Sequence, residues 1–401
     1  MAPLKVLLLE SIHPVADELL QADGFEVLRA DGALKEDELI KKVKGVQLLG
    51  IRSKTQVTKK VLDAADSLLA VGAFCIGTNQ IALEHAMKRG VAAFNAPFSN
   101  TRSVAEMVLA EIVMLSRHLG DRVREMHQGV WKKLATGSHE VRGKTLGVVG
   151  YGHIGSQISI LAEDLGMRVI FYDVAAKLPL GNSTPVKTLD ALLEQSDFVT
   201  FHVPETPQTK GMMGEAQIAK MKKGSCLINA SRGTVVDLDA LARALKDKRI
   251  DGCAVDVYPD EPEANSAEGF KTPLQGLANV IMTPHIGGST LEAQEAIGRE
   301  VSATLARFGH MGTTAGSVNF PMVELLKTPG TYRLINVHQN VPGVLRDVNK
   351  IVSDRGANIH AQVLSTNADI GYLIVDLDND VAGQVVDDMK KLPTTISART
   401  V

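Results

Sequence analysis

The sequence predicts an α/β protein with two parallel sheets and a third, smaller sheet at its C-terminal end. Short apolar runs alternate with helix-length segments in residues 1–99 and again from Thr145 to Pro284, which is typical of parallel sheets covered by helices. From Thr331 onwards the predicted elements follow the order βαββαβ instead. The chain of 401 residues is long enough for two or three domains of ordinary size.

Composition excludes several classes of protein. Lys and Arg number 43 against 46 Asp and Glu, a net charge of −3, which argues against a strongly basic nucleic-acid binder. The cysteines Cys75, Cys226 and Cys253 form no CxxC pair, so the sequence predicts neither a disulfide framework nor a cysteine-bound metal. Signal-like and membrane-length apolar stretches are absent, and we expect a cytoplasmic protein without metal, nucleic-acid or membrane partners.

The N-terminal segment predicts a flavodoxin-like α/β domain. Its first run, Val6–Leu9, is apolar at every position, as expected for a strand buried on both faces. Helix-like and strand-like segments then alternate, which favours a parallel sheet. The further predicted strands are Phe25–Leu28, Leu48–Ile51 and Leu69–Val71, and the predicted helices are His13–Ala22, Glu36–Val43 and Lys59–Ala65.

A long predicted helix, Val104–His118, marks the passage into a second domain. Ser103 and Glu106 have the spacing of a capping box, which predicts the start of this helix. Six strands separated by helix-length segments follow and predict a Rossmann-type, doubly wound sheet. They are Leu146–Val149, Arg168–Tyr172, Phe198–His202, Ser225–Asn229, Gly252–Val257 and Val280–Thr283.

A glycine-rich turn directly after the first of these strands predicts a nucleotide site. Gly150, Gly152 and Gly155 form GxGxxG between a predicted strand and a predicted helix. Glycines permit a tight turn and a close approach of the backbone, and the helix N-terminus favours the pyrophosphate charge. His153 and Ile154 are expected to lie at the phosphates.

The next strand ends in an acid that predicts the identity of the nucleotide. Asp173 lies 23 residues after Gly150, where a ribose-binding carboxylate is expected. A carboxylate accepts hydrogen bonds from ribose hydroxyls and repels a 2′-phosphate, so NAD is favoured over NADP. Lys177 lies nearby in the sequence and leaves NADP open as the minor alternative.

Three loops each carry one residue suited to acid–base chemistry or to anion binding. Arg232 follows one predicted strand, Glu261 stands before a proline in Asp260-Glu-Pro262, and His285 follows another strand. Histidine exchanges a proton near neutral pH, a carboxylate stabilises its imidazolium form, and arginine binds a carboxylate through two hydrogen bonds. Together they suit hydride transfer on a 2-hydroxy or 2-oxo acid.

The motifs GYGHIG, INASRG, the DEP loop and TPHIGG resemble the D-isomer-specific 2-hydroxyacid dehydrogenases over roughly residues 1–325. The resemblance implies that Arg232, Glu261 and His285 carry catalysis. It also implies a nucleotide domain at 100–286 inserted into a substrate domain at 1–99 and 287–328. The implied cofactor contacts beyond the glycine loop and Asp173 are Ala230, Ser231, Arg232, Asp256, His285, Ile286, Gly287 and Gly288.

Several cations predict a phosphorylated substrate. Arg52, Ser53 and Lys54 follow a predicted strand, and Lys133 lies near Trp131, the only tryptophan. Two or more cations at one site suit a phosphate, although solvated surface is the alternative for such residues.

Within that family, Ile76–Gln80, Asn95–Glu106 and Ala230–Asp237 resemble the short bacterial form that acts on 3-phosphoglycerate at the start of serine biosynthesis. The resemblance assigns Arg52, Ser53 and Asn100 to the substrate, and Lys133 to the site of its own or a neighbouring subunit.

One side activity and two alternative functions remain open. Side reduction of 2-oxoglutarate is expected, because a distal carboxylate can imitate a phosphate. A reductase of hydroxypyruvate or glyoxylate and a non-catalytic, NAD-sensing corepressor-like protein are the alternatives.

The C-terminal segment, residues 329–401, resembles an ACT domain, a small module that binds amino acids. The resemblance lies in Val337–Leu345 and Gly356–Ile359, and it implies L-serine as an effector bound by His338, Asn340 and Asn358. It also implies a homotetramer. Some serine-inhibited relatives carry a Gly-Gly hinge, whereas Lys327-Thr-Pro-Gly330 contains a proline, which stiffens the connection.

Overall fold

The computed structural model describes residues 3–262 and 269–401, which form two compact units. One unit contains the residues up to Ser99 together with Gln294–Val401, and the other contains Asn100–Ala293. Within these described residues, no helix is both long and apolar enough to cross a membrane.

The N-terminal part of the first unit is a five-stranded parallel sheet in the order β2-β1-β3-β4-β5. This is the flavodoxin-like order, so the predicted fold is confirmed. The strands are β1 (Lys5–Leu8), β2 (Glu26–Arg29), β3 (Leu48–Ile51), β4 (Ala70–Ala73) and β5 (Ala92–Asn95). The helices are α1 (Val15–Ala22), α2 (Glu36–Lys42), α3 (Lys59–Ala64) and α4 (Leu83–Lys88).

The central strands of this sheet are buried on both faces. Val6 and Leu8 belong to one hydrophobic core, whereas Leu7 belongs to the core on the opposite face. This arrangement explains why β1 is apolar at successive positions rather than at alternate ones.

The second unit contains a seven-stranded parallel sheet in the order β12-β11-β10-β9-β6-β7-β8. The strand order reverses beside β6, which is the switch point of a Rossmann-type sheet, and the prediction is confirmed. The strands are β6 (Thr145–Val149), β7 (Arg168–Tyr172), β8 (Thr184–Pro185), β9 (Phe198–Phe201), β10 (Cys226–Asn229), β11 (Gly252–Val255) and β12 (Val280–Met282). The helices are α5 (Thr101–Ser116), α6 (Leu119–His127), α7 (His153–Asp164), α8 (Leu189–Gln195), α9 (Glu215–Lys220) and α10 (Leu238–Lys246).

The capping box expected at Ser103 and Glu106 is wrong. Helix α5 begins two residues earlier, at Thr101. Ser103 Oγ lies 2.8 Å from Thr290 Oγ1 instead, and Glu106 accepts a hydrogen bond from Arg102 Nε at 2.6 Å. Glu106 therefore pairs along the helix, where residues four apart share a face, and Ser103 contacts the segment before α11.

The C-terminal part of the first unit is a four-stranded antiparallel sheet in the order β14-β15-β13-β16. This is the ferredoxin-like arrangement predicted from the βαββαβ pattern, and it is confirmed. The elements, including the long helix that precedes the sheet, are α11 (Leu291–Met311), β13 (Tyr332–Gln339), α12 (Val344–Asp354), β14 (Ile359–Thr366), β15 (Ile370–Leu377), α13 (Ala382–Met389) and β16 (Thr395–Thr400).

The C-terminal sheet contacts the end of α11 through two arginines, the partly buried Arg399 and the buried Arg333. Arg399 on β16 donates to the main-chain oxygen of Phe308 at 2.8 Å and lies over its ring. Arg333 on β13 donates to the main-chain oxygen of Met311 at 3.0 Å. The last carbonyls of a helix carry its partial negative charge, so these two cations complement the helix dipole.

Candidate active site

The glycine-rich loop after β6 has the geometry that its three glycines predict. Gly150 adopts φ +91°, and a Cβ there would lie 2.4 Å from the main-chain oxygen of His202. A Cβ at Gly155 would lie 2.1 Å from the main-chain oxygen of Gly150. Gly152 differs, because a Cβ there would meet no protein atom within 4 Å. The first and third glycines allow the tight turn, and the second leaves open space above the backbone.

The N-terminus of α7 lies directly beside that open space. Helix α7 begins at His153, and its cap residue Gly152 offers no side chain to the first N–H groups. Asp173, at the end of β7, accepts a hydrogen bond from the main-chain N–H of Tyr151 at 2.8 Å and so lies against the same loop. Uncapped helical N–H groups suit a pyrophosphate, and a carboxylate at this position suits a ribose. The residues present therefore fit a dinucleotide.

Two of the three residues expected to carry catalysis lie in direct contact. His285 Nδ1 lies 2.7 Å from Glu261 Oε2, which leaves Nε2 on the far side of the ring. His285 adopts φ +55°, a conformation that residues other than glycine rarely adopt. Such backbone strain occurs most often at functional sites, where the surroundings hold it in place.

The environment separates the two pKa values. The hydrogen bond to Glu261 raises the pKa of the His285 imidazole; burial opposes this, the charges of Glu261 and Asp256 add to it, and Arg232 opposes it. Burial acts to raise the pKa of Glu261, but the hydrogen bond and charge of His285, the N–H of Tyr258 and the charge of Arg232 outweigh burial and lower it. A proton on the pair therefore belongs to the histidine.

Asn229, the last residue of β10, shapes the loop that carries Arg232. Its side-chain oxygen accepts hydrogen bonds from the Ser231 N–H at 3.2 Å and from the Ser231 hydroxyl at 2.8 Å. Its amide group donates to the main-chain oxygen of Arg232 at 3.0 Å. Ser231 is thereby buried, while Ala230 and Arg232 stay partly exposed.

Gly233 brings the loop of Arg232 against the loop of Glu261. A Cβ at Gly233 would lie 2.0 Å from the main-chain oxygen of Tyr258, so only glycine allows this approach. The Tyr258 N–H in turn donates to Glu261 Oε1 at 3.1 Å. The structure thus brings Arg232, Glu261 and His285 together at the carboxyl ends of neighbouring strands, where ligands gather in open α/β sheets.

Asp256 holds the loop that carries His285. Its Oδ1 accepts hydrogen bonds from the hydroxyl of Thr283 at 2.6 Å and from the N–H of Ile286 at 2.8 Å. Its Oδ2 accepts from the N–H of Gly287 at 2.8 Å. Asp256 is 2% exposed, and its visible role is to fix the strained turn at His285.

Asn100 is placed with the catalytic loop of the second unit. Its side chain lies against Gly288, where a Cβ would approach the amide nitrogen to 2.4 Å. The buried side-chain oxygen of Asn100 has no hydrogen-bond partner among the described residues. Lys133, by contrast, lies in an exposed stretch after α6, and none of the described hydrogen bonds or ion pairs joins it to the catalytic residues.

The remaining residues expected at the substrate lie in the first unit. Arg52 is partly exposed, and Ser53 and Lys54 are exposed, directly after the buried end of β3. Sequence reasoning missed Glu10, whose carboxylate contacts the main chain of this segment. Glu10 follows the apolar run Val6–Leu9, and Asp173 and Asp256 likewise follow buried strands, so its position at a strand end is the signal that could have revealed it.

The residues expected at an effector site lie at opposite ends of the C-terminal sheet, because His338 and Asn340 are beside Ile370 at the start of β15 and Asn358 is beside Asp378 after its end. Asn340 and Asn358 are exposed, whereas His338 is 2% exposed. His338 Nδ1 lies 2.8 Å from the side-chain oxygen of Asn336, and the ring covers Gly371 on the neighbouring strand. Burial lowers the pKa of His338, which keeps its imidazole neutral.

Sequence reasoning also missed Glu111 on α5. It is 3% exposed, and both its carboxyl oxygens lack a hydrogen-bond partner among the described residues. Burial, together with the charge of Asp256, raises the pKa of Glu111 to about 8. The sequence pattern gave no signal, because Glu111 stands among apolar residues of an ordinary-looking helix.

Comparison with protein families matches two parts of the chain. Residues 109–287 match the family described as "D-isomer specific 2-hydroxyacid dehydrogenase, NAD binding domain". Residues 334–397 match the family described as "AHAS small subunit-like ACT domain".

Known proteins resemble the chain over nearly its whole length. D-3-phosphoglycerate dehydrogenase of Dictyostelium discoideum is 53% identical, covering 99% of this chain and 97% of the relative. D-3-phosphoglycerate dehydrogenase of Haemophilus influenzae is 51% identical, with the same coverage. The NAD-complexed crystal structure of a D-isomer specific 2-hydroxyacid dehydrogenase from Lactobacillus delbrueckii ssp. bulgaricus is 25% identical with a TM-score of 0.68, covering 79% of this chain and all of that one.

Proposed function

This chain belongs to the D-isomer-specific 2-hydroxyacid dehydrogenase family, and we propose that it oxidises 3-phospho-D-glycerate to 3-phosphohydroxypyruvate with NAD as cofactor. This reaction is the first step of the phosphorylated route to L-serine. The relatives that share half of its residues over their full length are named for this substrate, which supports the assignment. The contact between His285 and Glu261 supplies the chemistry that the reaction needs.

His285 is the general base of the oxidation. Its Nε2 takes the proton of the C2 hydroxyl, while NAD, when bound, accepts the hydride from C2. Glu261 stabilises the imidazolium that results, because the carboxylate already accepts the Nδ1 hydrogen bond. In the reverse direction the same imidazolium returns the proton to the carbonyl oxygen.

Arginine and asparagine side chains orient the acid. Arg232 binds the C1 carboxylate and polarises the neighbouring C2 oxygen, a task that its forked guanidinium suits. Asn100, whose buried side-chain oxygen lacks a partner among the described residues, accepts a hydrogen bond from the substrate. Arg52, Ser53 and Lys54 bind the phosphate, and Lys133 adds a further cation from its own or a neighbouring subunit.

The nucleotide site is assigned from the glycine loop to the catalytic loop. Gly150, Gly152, His153, Ile154 and Gly155 hold the pyrophosphate, and Asp173 holds the adenosine ribose. The residues after β10, β11 and β12 bind toward the nicotinamide end, namely Ala230, Ser231, Arg232, Asp256, His285, Ile286, Gly287 and Gly288.

Domain roles follow the same assignment. We assign residues 1–99 and 287–328 to substrate binding, 100–286 to NAD binding and 329–401 to regulation.

L-Serine is the effector that suits the C-terminal ACT domain. The exposed amides of Asn340 and Asn358 lie at opposite ends of the sheet, and each offers donors and acceptors to an amino acid bound at an interface between two such domains. His338 is neutral and buried, so it contributes through one ring nitrogen rather than through a charge. Titration calorimetry with L-serine tests the assignment, with Asn358→Ala as the variant expected to lose binding and D-serine as the control ligand.

We propose a homotetramer in the cytoplasm. An exposed apolar series in the segment after α5 favours a subunit contact, since such patches are uncommon on monomers. Its members are Leu119, Val123, Met126, Val130, Trp131 and Leu134. The three cysteines form no disulfide in the structure, as suits a reducing compartment.

The decisive experiment is a panel of 2-oxo acids assayed by NADH consumption, with and without L-serine. We expect the highest kcat/KM with 3-phosphohydroxypyruvate, lower values with hydroxypyruvate and glyoxylate, and measurable side reduction of 2-oxoglutarate. Equal kcat/KM for hydroxypyruvate and its phosphorylated form would overturn the substrate assignment. No NADH consumption with any acid would indicate the non-catalytic, NAD-sensing alternative.

A further inference from the structure

Glu10 lies beneath the segment that carries Arg52, Ser53 and Lys54. It lies two residues after the end of β1 and is 8% exposed. Its Oε1 accepts hydrogen bonds from the main-chain N–H groups of Arg52 at 3.1 Å and Thr55 at 2.8 Å. Its Oε2 accepts from the N–H of Lys54 at 3.0 Å. One carboxylate therefore engages three main-chain donors within four consecutive residues.

Gln80 holds the same segment from another direction. Its amide group donates to the main-chain oxygen of Arg52 at 2.7 Å and to that of Gly77 at 3.1 Å. Both ends of the segment are fixed as well, because Ile51 and Thr55 are buried. The main chain thus turns inward to Glu10 and Gln80, and the polar side chains between those ends keep access to solvent.

The backbone at Glu10 is itself unusual. Glu10 adopts φ +59° and Ser11 adopts φ +49°, so two successive residues other than glycine occupy the left-handed region. Such conformations persist only where the surroundings determine them strongly. The three hydrogen bonds to the Glu10 carboxylate provide that determination.

A carboxylate is the one side chain of this size that fits three converging donors. Both of its oxygens accept, and ionised acceptors form the stronger hydrogen bonds. Glutamine at this position would retain one acceptor oxygen and turn an N–H₂ group toward a donor. The carboxylate of Glu10 also lies on the inner side of the segment. There it accepts hydrogen bonds from the main chain rather than contacting a ligand.

We propose that Glu10 is a positioning residue, which holds Arg52, Ser53 and Lys54 in the arrangement that binds the phosphate of the substrate. The inference rests on the proposed function, since it takes the phosphorylated acid as the ligand of this segment. Preorganisation is the physical reason: long cationic side chains lose less conformational entropy on binding when their backbone is already fixed.

The test combines kinetics with amide hydrogen exchange in the full-length protein. Glu10→Gln is compared with Asp66→Asn, because Asp66 also accepts a main-chain hydrogen bond in the same unit, from Gly45 at 2.8 Å. We expect Glu10→Gln to raise KM for 3-phosphohydroxypyruvate at least tenfold, with kcat within threefold of the parent. KM for hydroxypyruvate, which lacks the phosphate, should change less than threefold. Exchange in a peptide spanning residues 51–57 should accelerate in Glu10→Gln and not in Asp66→Asn.

The outcomes separate this inference from the proposed function. Unchanged exchange at residues 51–57, or faster exchange without a rise in KM for the phosphorylated acid, overturns the positioning role of Glu10. A parent enzyme that does not prefer the phosphorylated acid overturns the proposed substrate, while the exchange data still decide whether Glu10 holds the segment. If Glu10→Gln does not fold, Gln80→Leu removes the hydrogen bond to Arg52 from the other side, and the same rise in KM is expected.

Discussion

The Nδ1 atom of His285 lies 2.7 Å from Oε2 of Glu261, and the proton between them sets the direction in which the site works. The hydrogen bond to Glu261 raises the pKa of His285 above its ordinary value. Oxidation of a hydroxyl needs the neutral imidazole as base, so its rate should rise with pH through that pKa. Reduction of a carbonyl needs the imidazolium as acid, so its rate should fall over the same range.

Glu261→Gln should move both pH profiles to lower pH. The amide cannot stabilise the imidazolium as the carboxylate does, and the pKa of His285 should therefore fall. At neutral pH we expect kcat for reduction to drop by about 100-fold, the lower end of the range for general acid–base catalysis. The measurement is kcat against pH for 3-phosphohydroxypyruvate reduction.

Asp260→Asn is the matched control for that variant. Asp260 is the exposed acid next to Glu261, and its removal should leave the midpoint of the pH profile in place. A profile of Glu261→Gln that coincides with that of the parent enzyme would contradict the pairing of His285 with Glu261 in catalysis.

Much of the fold could be predicted because its strands carry a strong apolar signal. Val6–Leu9 and Val169–Tyr172 are continuous runs of large apolar residues, and each belongs to a strand close to the predicted bounds. Strand β5 was missed because Ala92-Ala-Phe-Asn95 consists mostly of small or polar residues, although most of it is buried. Its pairing with β4 in the sheet, rather than its composition, makes it a strand.

The chemistry of the site could be predicted, but its internal support could not. The residue type and the position after predicted strands were enough to identify Arg232, Glu261 and His285. Asp256 fixes a turn in which His285 adopts a main-chain φ of +55°. No residue pattern specifies that conformation, so this role of Asp256 could not be predicted. The burial of His338 depends on Gly371 in the neighbouring strand, a partner 33 positions away whose register only the folded sheet defines.

Two glycines of the loop after β6 should respond differently to substitution, because one is needed for packing and the other is assigned to cofactor contact. Gly155→Ala places a methyl group 2.1 Å from a main-chain oxygen, so the backbone must move. We expect it to lower the free energy of unfolding by more than about 2 kcal/mol. Gly152→Ala meets no protein atom within 4 Å, and its free energy of unfolding should stay within about 1 kcal/mol of the parent value.

Gly152→Ala should nevertheless weaken NADH binding at least tenfold, because its methyl group occupies the space assigned to the pyrophosphate. Fluorescence titration with NADH and denaturant unfolding of the apo protein measure the two effects separately. Normal NADH affinity in a folded Gly152→Ala protein would contradict the assignment of the open space above this glycine to the cofactor.

Glu111 should make the stability of the protein depend on pH. Burial and the charge of Asp256 raise its pKa in the folded state to about 8, from an ordinary value of 4.5. A folded-state pKa above the unfolded one means that the stabilising contribution is complete at low pH and is lost as pH rises through the folded value. Glu111→Gln removes this loss. The free energy of unfolding of the variant, relative to that of the parent protein, should therefore rise by about 3 kcal/mol from pH 5 to pH 8.

The measurement is denaturant unfolding of both proteins at the two pH values. Glu106→Gln serves as the control on the same helix, because Glu106 is exposed and paired with Arg102. Parallel stability curves for Glu111→Gln and the parent protein would show that Glu111 stays ionised in the folded state.

The C-terminal sheet depends on an ion pair that is wholly buried. Arg333 and Asp376, on adjacent strands, form two hydrogen bonds of 2.6 and 2.7 Å, and neither side chain is exposed. Arg333 also donates to the main-chain oxygen of Leu325, just before the sheet begins. Removing one charge leaves the other buried without its counter-charge, which costs about 3–5 kcal/mol.

Arg333→Met and Asp376→Leu should therefore each destabilise the protein strongly, and the double variant should cost less than either of them alone. The double variant removes both buried charges, and apolar side chains of similar volume then fill the site. The pair of Arg355, which is exposed, and Asp388, which is partly exposed, in the same domain is the control, and Arg355→Met should change stability far less. Additive costs in the double variant would show that Arg333 and Asp376 stabilise the sheet through independent contacts rather than through each other.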